Sequence, residues 1–329
     1  MKQVAIYGAG AIGGLIGARL ACAGMAVSAV ARGATLAALR DHGIRVQAEG
    51  GVQSFPVRAE QDPAALGAQD LVVLAVKAIA LPDVSARIAP LIGPHTVVLT
   101  AMNGVPWWFF EPASVPYSGT HLPSLLACGD LAGVMPLPQV IGAVVHLAAS
   151  SPEPGVVRPG FGNKLIVGEP GGGRSARVEA LAGLLRQGGF EVEASADIRT
   201  DIWYKLWGNM TMNPVSALTG ATCDRILDDP LVRAFCMAAM QEAADIGAKI
   251  GCPIAQSGED RMNVTRKLGA FKTSMLQDAE AGKPLEIDAL VTVVHEIGKA
   301  VGVPTPNVDA LLGLVRLYGA AHGLYPAAR

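Results

Sequence analysis

From the N-terminus, short apolar runs alternate with segments of helical period: 4–7 then 12–23, 26–31 then 34–40, 71–76 then 81–89, and 97–100 after that. This order predicts βαβ units, which build a parallel, doubly wound sheet covered by helices. The run Leu71-Val72-Val73-Leu74-Ala75-Val76 lacks any polar alternation, as expected of a strand buried on both faces. Beyond Asn103 the pattern loosens into a Pro- and aromatic-rich stretch, 105–138, longer than most loops without structure or function of their own. An apolar run at 140–149 follows. Segments 155–158 and 164–167 read as paired strands around Gly160-Phe161-Gly162. The triple glycine 171–173 is a turn before the helical segment 175–187, and 190–194 reads as the last strand. From Ile198 onward almost everything has helical period, with stops near 214–220, 253, 284 and 304–306. The expected fold class is α/β, with the doubly wound sheet in 1–197 and an all-helical domain in 198–329.

Composition narrows the possible functions. A chain of 329 residues exceeds the ~250–300 at which single cores stop growing, in keeping with two domains. Twenty-six Lys and Arg against 28 Asp and Glu, with no long run of either sign, give no electrostatic footprint for nucleic acid or an anionic membrane. Mean hydropathy is high, at +0.37, but Gly, Pro or charge cuts every apolar stretch short of the ~20 residues a spanning helix needs. The five cysteines, an odd number with no CxxC pair, suit a reducing cytoplasm better than a disulfide scaffold. No metal site is expected. His295-Glu296 begins an HExxH pattern, but Lys299 stands where the second His belongs.

Candidate chemistry starts at Gly8-Ala9-Gly10-Ala11-Ile12-Gly13, a GxGxxG that follows a strand and opens a helix. Small residues there allow a tight turn and close approach of a pyrophosphate to the helix N-terminus, making the N-terminal domain Rossmann-type. A glycine-rich turn without ligand is the plain alternative. No Asp or Glu occurs before Asp41, although NAD sites usually place an acid ~20 residues past the glycines; Arg32 occupies that neighbourhood instead. A guanidinium there would pair with a 2′-phosphate, which favours NADP(H) over NAD(H), against the alternative of a solvated surface arginine. Lys77 and Asn103 each follow a predicted strand, where open α/β sheets bind ligands.

In the helical half, Lys205, Asn209 and Asn213 are spaced i, i+4, i+8 and form one polar stripe on a helix that is otherwise Ile, Trp, Tyr, Leu and Met. A helix so apolar is expected to be largely buried, with its stripe facing a cleft or a polar network. A buried ammonium calls for a carboxylate. Glu286, beside Leu285 and Ile287 at the start of another amphipathic helix, is one source, although spacing alone also allows a simple N-terminal helix charge.

Taken together, GAGAIG at 8–13, Arg32, Val76-Lys77-Ala78, Asn103-Gly104, Lys205-x3-Asn209-x3-Asn213-Pro214, Ser274-Met275-Leu276-Gln277-Asp278 and Glu286-Ile287-Asp288 resemble the ketopantoate reductase (2-dehydropantoate 2-reductase) family over most of the chain. The resemblance implies NADPH-dependent reduction of a small 2-keto acid at a site between the two domains. It implies Lys205 as general acid and Glu286 as its partner and a contact on the cofactor side. Asn209, Asn213 and Ser274, with Thr273 beside it, would hold substrate. Lys77, Asn103 and Ala148, the last expected just after the strand holding His146, would line the nicotinamide end. Cys223 stands where members of the family often carry a further Asn. The rival readings are reduction of a different 2-keto acid, a β-hydroxyacid or 6-phosphogluconate-type dehydrogenase, which shares Lys-x-x-x-Asn, and a non-catalytic NADP(H) sensor, which would not need Lys205 or Glu286. The aromatic run Trp107–Phe110 has three readings: a lid, a homodimer contact or core filling.

Overall fold

The computed structural model describes residues 1–326. In chain order the elements are β1 (Gln3–Tyr7), α1 (Ala11–Cys22), β2 (Ala26–Val30), α2 (Gly33–His42), β3 (Ile44–Ala48), β4 (Gly51–Phe55), β5 (Arg58–Glu60), β6 (Leu71–Leu74), α3 (Leu81–Arg87) and β7 (Val97–Thr100). Then come α4 (Pro123–Leu126), α5 (Leu131–Val134), β8 (Val140–Ser150), β9 (Val156–Gly168), α6 (Ala176–Gln187) and β10 (Glu191–Ser195). The rest is helical: α7 (Ile198–Thr219), α8 (Cys223–Asp228), α9 (Pro230–Lys249), α10 (Gly258–Arg266), α11 (Ser274–Glu280), a π-helical turn at Asp288–Thr292, α12 (Val293–Val301) and α13 (Pro306–Ala321).

Two compact units emerge. The first comprises Met1–Pro112 and Ala127–Asp201, the second Ala113–Leu126 and Ile202–Arg329. A single cut near residue 197 does not include the excursion of 113–126 into the second unit, a segment inside the Pro- and aromatic-rich stretch 105–138.

The first unit is built on one mixed sheet of ten strands among the described residues, in the order β4-β3-β9-β8-β7-β6-β1-β2-β5, with β10 added beside β9. From β5 to β8 every pair is parallel; β8 and β9 are antiparallel. The parallel strands are apolar because both faces are covered: Val4, Ile6, Leu71, Val73 and Leu99 are fully buried, and α1 packs Ile16 and Leu20 into the same core. Helix α1 can lie this close because a Cβ on Gly13 would come within 2.2 Å of the Gly8 carbonyl oxygen.

The sheet departs from the sequence reading in two places. Strands β3, β4 and β5 were not expected; β3 and β4 are short and half polar, and form an antiparallel hairpin. The segments read as two strands, 155–158 and 164–167, are one continuous β9 paired with β8. The two glycines that suggested a turn sit instead at its irregular stretch, where the register with β8 shifts and Gly162 has φ of +81°.

Trp107–Phe110 resolves as core filling. All four rings are buried, with Trp108 and Phe109 at 0% exposure. Trp108 donates from Nε1 to Thr100 Oγ1 at 3.3 Å and lies so close to β8 that a Cβ on Gly142 would meet its ring at 2.7 Å. The Arg199 guanidinium stacks over Phe109 at 4.4 Å and donates from Nε to the Phe109 carbonyl at 2.9 Å.

In the second unit, α7 runs on through Pro214 to Thr219, so the proline near which a stop was expected lies inside the helix. It has no N–H to give the carbonyl of Met210, and the helix tolerates the loss because tertiary packing holds it. Trp203 and Trp207 donate from their indole nitrogens to the α9 carbonyls of Ala243 at 3.1 Å and Met240 at 2.7 Å. His295 and Glu296, the partial metal motif, are engaged elsewhere: His295 pairs with Asp309 at 2.5 Å, and Glu296 accepts from Ser124 Oγ at 2.6 Å. No helix among the described residues is long and apolar enough to cross a membrane.

Candidate active site

Within the first unit, the glycine turn leaves β1 through Gly8, whose φ of +97° only glycine adopts readily. The three glycines do different work. A Cβ on Gly8 would strike the Ala75 carbonyl at 2.7 Å, and one on Gly13 would strike Gly8 itself. A Cβ on Gly10 would meet nothing within 4 Å, so that glycine opens onto space. Gly10 caps α1 without a side-chain acceptor, leaving first-turn N–H groups and the positive helix end for an anion.

The turn, including Gly8, Ala9 and Gly10, lines a cleft of about 220 Å³ together with Arg32, Thr35 and Val76. Arg32, at the N-cap of α2, is largely exposed and lies 3.4 Å from Asp83 of α3, which is also 3.8 Å from Arg87. Asp83 thus brings a carboxylate from another element to the Arg32 guanidinium. The Tyr7 hydroxyl, in the same cleft, is buried without a hydrogen-bond partner, and burial pushes its pKa up. An open space at Gly10, unsatisfied first-turn donors and an orphaned buried hydroxyl fit a dinucleotide with polar sugar and phosphate groups. Tyr7, Asp83 and Arg87 were not picked out from the sequence; a strand-end tyrosine and an i, i+4 Asp–Arg pair on α3 were the available signals.

Lys77 and Asn103 lie beyond β6 and β7, at the carboxyl ends of those strands, and Val76 and Ala80 on either side of Lys77 line the cleft. Ala148 differs from expectation: the strand carrying His146 continues to Ser150, so Ala148 is within β8 and not after it.

In the second unit, the indoles of Trp203 and Trp207 fix one face of α7 on α9, and Lys205, Asn209 and Asn213 occupy another. Asn213 is 4% exposed and donates from Nδ2 to Ser274 Oγ at 3.4 Å. One turn on, Ser216 Oγ lies 2.5 Å from Thr273 Oγ1, and Thr273 caps α11 by accepting the Leu276 N–H at 3.2 Å. The predicted residues Asn213, Thr273 and Ser274 are thus one hydroxyl–amide cluster between α7 and α11.

Burial pushes the Lys205 ammonium down to about 8, against the opposing effect of the Glu286 carboxylate, which holds the charged form up. Glu286 lies in the irregular stretch just before the π-helical turn, flanked by buried Leu285 and Ile287. Cys223 is buried and its thiol pushed up to about 11, so it is a neutral apolar group and not a polar ligand. On the neighbouring face of α7, the Arg261 guanidinium covers Gly208 and stacks on the Tyr204 ring at 5.3 Å, a second sheltered cation that the sequence did not single out.

Two sequence profiles match this chain, one described as ketopantoate reductase PanE/ApbA over residues 4–107 and one as its C-terminal region over 197–319. The chain belongs to the ketopantoate reductase family and is an oxidoreductase. Its relatives include a 2-dehydropantoate 2-reductase of Mesorhizobium japonicum, 44% identical over 324 residues that cover 98% of this chain and 99% of the relative. Among solved structures, a protein of Ralstonia solanacearum provisionally assigned as a ketopantoate reductase is 59% identical, with a TM-score of 0.95 over 99% of this chain and 100% of that one. A PanE/ApbA family ketopantoate reductase of Ralstonia eutropha is 28% identical, with a TM-score of 0.83 over 98% and 99% of the two chains.

Proposed function

We propose that this enzyme reduces a 2-keto acid with NADPH, that 2-dehydropantoate is the substrate, and that Lys205 is the general acid. The observation that carries the reading is a sheltered ammonium, opposed by one carboxylate, on a helix face shared with two asparagines. A nicotinamide cofactor, when bound, supplies the hydride. Gly8, Ala9, Gly10, Ala11, Ile12 and Gly13 hold its pyrophosphate and Arg32 its 2′-phosphate, while Lys77, Asn103 and Ala148 line the nicotinamide end, with Glu286 a further contact on the cofactor side. In this reading 1–197 is the cofactor domain and 198–329 the substrate domain, with 113–126 packed on the latter.

Reduction of the keto carbon places negative charge on its oxygen. The Lys205 ammonium stabilises that charge and donates the proton that completes the hydroxyl, then regains one from water. Glu286 keeps Lys205 protonated where burial alone would drive the proton off. Asn209, Asn213 and Ser274, with Thr273 fixing the start of α11, bind the acid.

The test is turnover of the purified enzyme with NADPH or NADH against a panel of 2-keto acids, followed by loss of nicotinamide absorbance. Fastest oxidation of NADPH with 2-dehydropantoate supports the proposal. Preference for another keto acid reassigns the substrate, preference for NADH removes the role of Arg32, and binding without turnover overturns the reductase reading.

A further inference from the structure

Glu286 is held from both sides by the turn that follows α13. Before it, the Leu285 N–H donates to the Leu324 carbonyl at 2.9 Å. After it, Asp288 accepts from the Tyr325 hydroxyl at 2.7 Å and from Thr292 Oγ1 at 2.8 Å, the latter inside the π-helical turn. The turn itself is tied to the end of α13: the N–H groups of Leu324 and Tyr325 both donate to the Gly319 carbonyl, at 2.7 and 3.1 Å. Gly319 has no side chain because a Cβ there would meet the Tyr325 Cβ at 2.7 Å and Ile287 Cδ1 at 3.2 Å. Leu285, Ile287 and Leu324 are buried, so the backbone carrying Glu286 is packed as well as bonded.

We propose that Tyr325 is a positioning residue for catalysis: its bond to Asp288, with the Leu285–Leu324 bond, fixes the backbone on which Glu286 faces Lys205. The inference rests on the proposed roles of Lys205 and Glu286. A π-helical turn is a costly local geometry that persists where surrounding structure sustains it. Here the sustaining contact reaches the turn from a distant part of the sequence and ends one residue pair away from the carboxylate. Burial and the Asp288 bond push the Tyr325 hydroxyl up to about 12, so it remains a donor across the working range of pH; the other charge acting on it is Arg316.

Tyr325→Phe keeps the ring and deletes one hydrogen bond. It is expected to lower kcat about fivefold, the loss of one modest hydrogen bond felt at the reacting centre, with the KM for NADPH changed less than kcat. The alkaline limb of kcat/KM should move to lower pH, because a displaced Glu286 supports the ammonium less. Asp288→Asn, which keeps an acceptor for the hydroxyl, should retain more activity than Asp288→Ala. Adding Tyr325→Phe to Glu286→Gln should cost nothing further if the tyrosine acts through that carboxylate. Unchanged kcat and pH profile in Tyr325→Phe, alongside a clear defect in Glu286→Gln, overturns the positioning role alone. An unaffected Glu286→Gln enzyme would instead remove the reading on which it rests.

Discussion

At the scale of single residues, Lys205 sets the terms. A positioned general acid contributes ~10²–10⁴-fold, so Lys205→Ala is expected to lose about 3–5 kcal/mol of transition-state stabilisation, seen in kcat/KM with near-normal cofactor binding. Because its pKa in the folded enzyme is lowered to about 8, reduction should decline as pH rises through about 8, and oxidation of the hydroxy acid should rise over the same range. The linked stability effect runs the other way. The unfolded chain keeps its proton up to the ordinary 10.5, so between about 8 and 10.5 it binds more protons than the native state, and stability gained from this residue rises with pH. Melting temperatures of the wild type and Lys205→Met, compared across that window, should shift in favour of the wild type. The stripe Lys205, Asn209, Asn213 was legible from spacing, because helical period alone puts i, i+4 and i+8 on one face. The cluster around Tyr7, Asp83 and Arg87 was not, since Tyr7 and the Asp83–Arg87 pair come from separate elements and an i, i+4 ion pair is ordinary on a helix surface.

At the scale of elements, the glycine turn separates folding from binding. Gly13→Ala forces a methyl within 2.2 Å of a backbone oxygen, so α1 must move off β1. A loss of about 2 kcal/mol or more is expected in denaturant titration, with cofactor affinity lost alongside. Gly10→Ala meets no atom within 4 Å and should leave stability nearly unchanged while raising the KM for NADPH, because the methyl projects into the open space at the turn. If Gly10→Ala binds NADPH normally, the pyrophosphate does not lie there. The βα order of the first hundred residues was readable because fully buried parallel strands are uniformly apolar. Strands β3 and β4 escaped because hairpin pairing and not apolar content defines them, and β9 was split in two because glycines at a register shift look the same in sequence as glycines in a turn.

At the scale of the whole molecule, the sheet-based first unit and the helical second unit each enclose their own core. Trp108 is a keystone of the first: Trp108→Ala removes a ring at 0% exposure and its bond to Thr100, for an expected cost of about 3–5 kcal/mol in unfolding free energy. Its burial was not readable, because an aromatic run beside prolines looks the same whether it lids a site, meets a partner or fills a core. The division of the chain was readable only in outline. The two-unit organisation follows from length and period, but the visit of 113–126 to the second unit depends on contacts such as that of Ser124 with Glu296, which no local pattern announces.

That visit has a consequence for anyone dissecting the enzyme. A gene fragment starting at codon 198 encodes most of the helical unit but omits the short piece carrying Ser124, leaving the Glu296 carboxylate without its hydroxyl and amide donors. Conversely, a protease nick inside α7 severs the backbone without releasing the two products, since one product still carries a peptide built into the fold of the other.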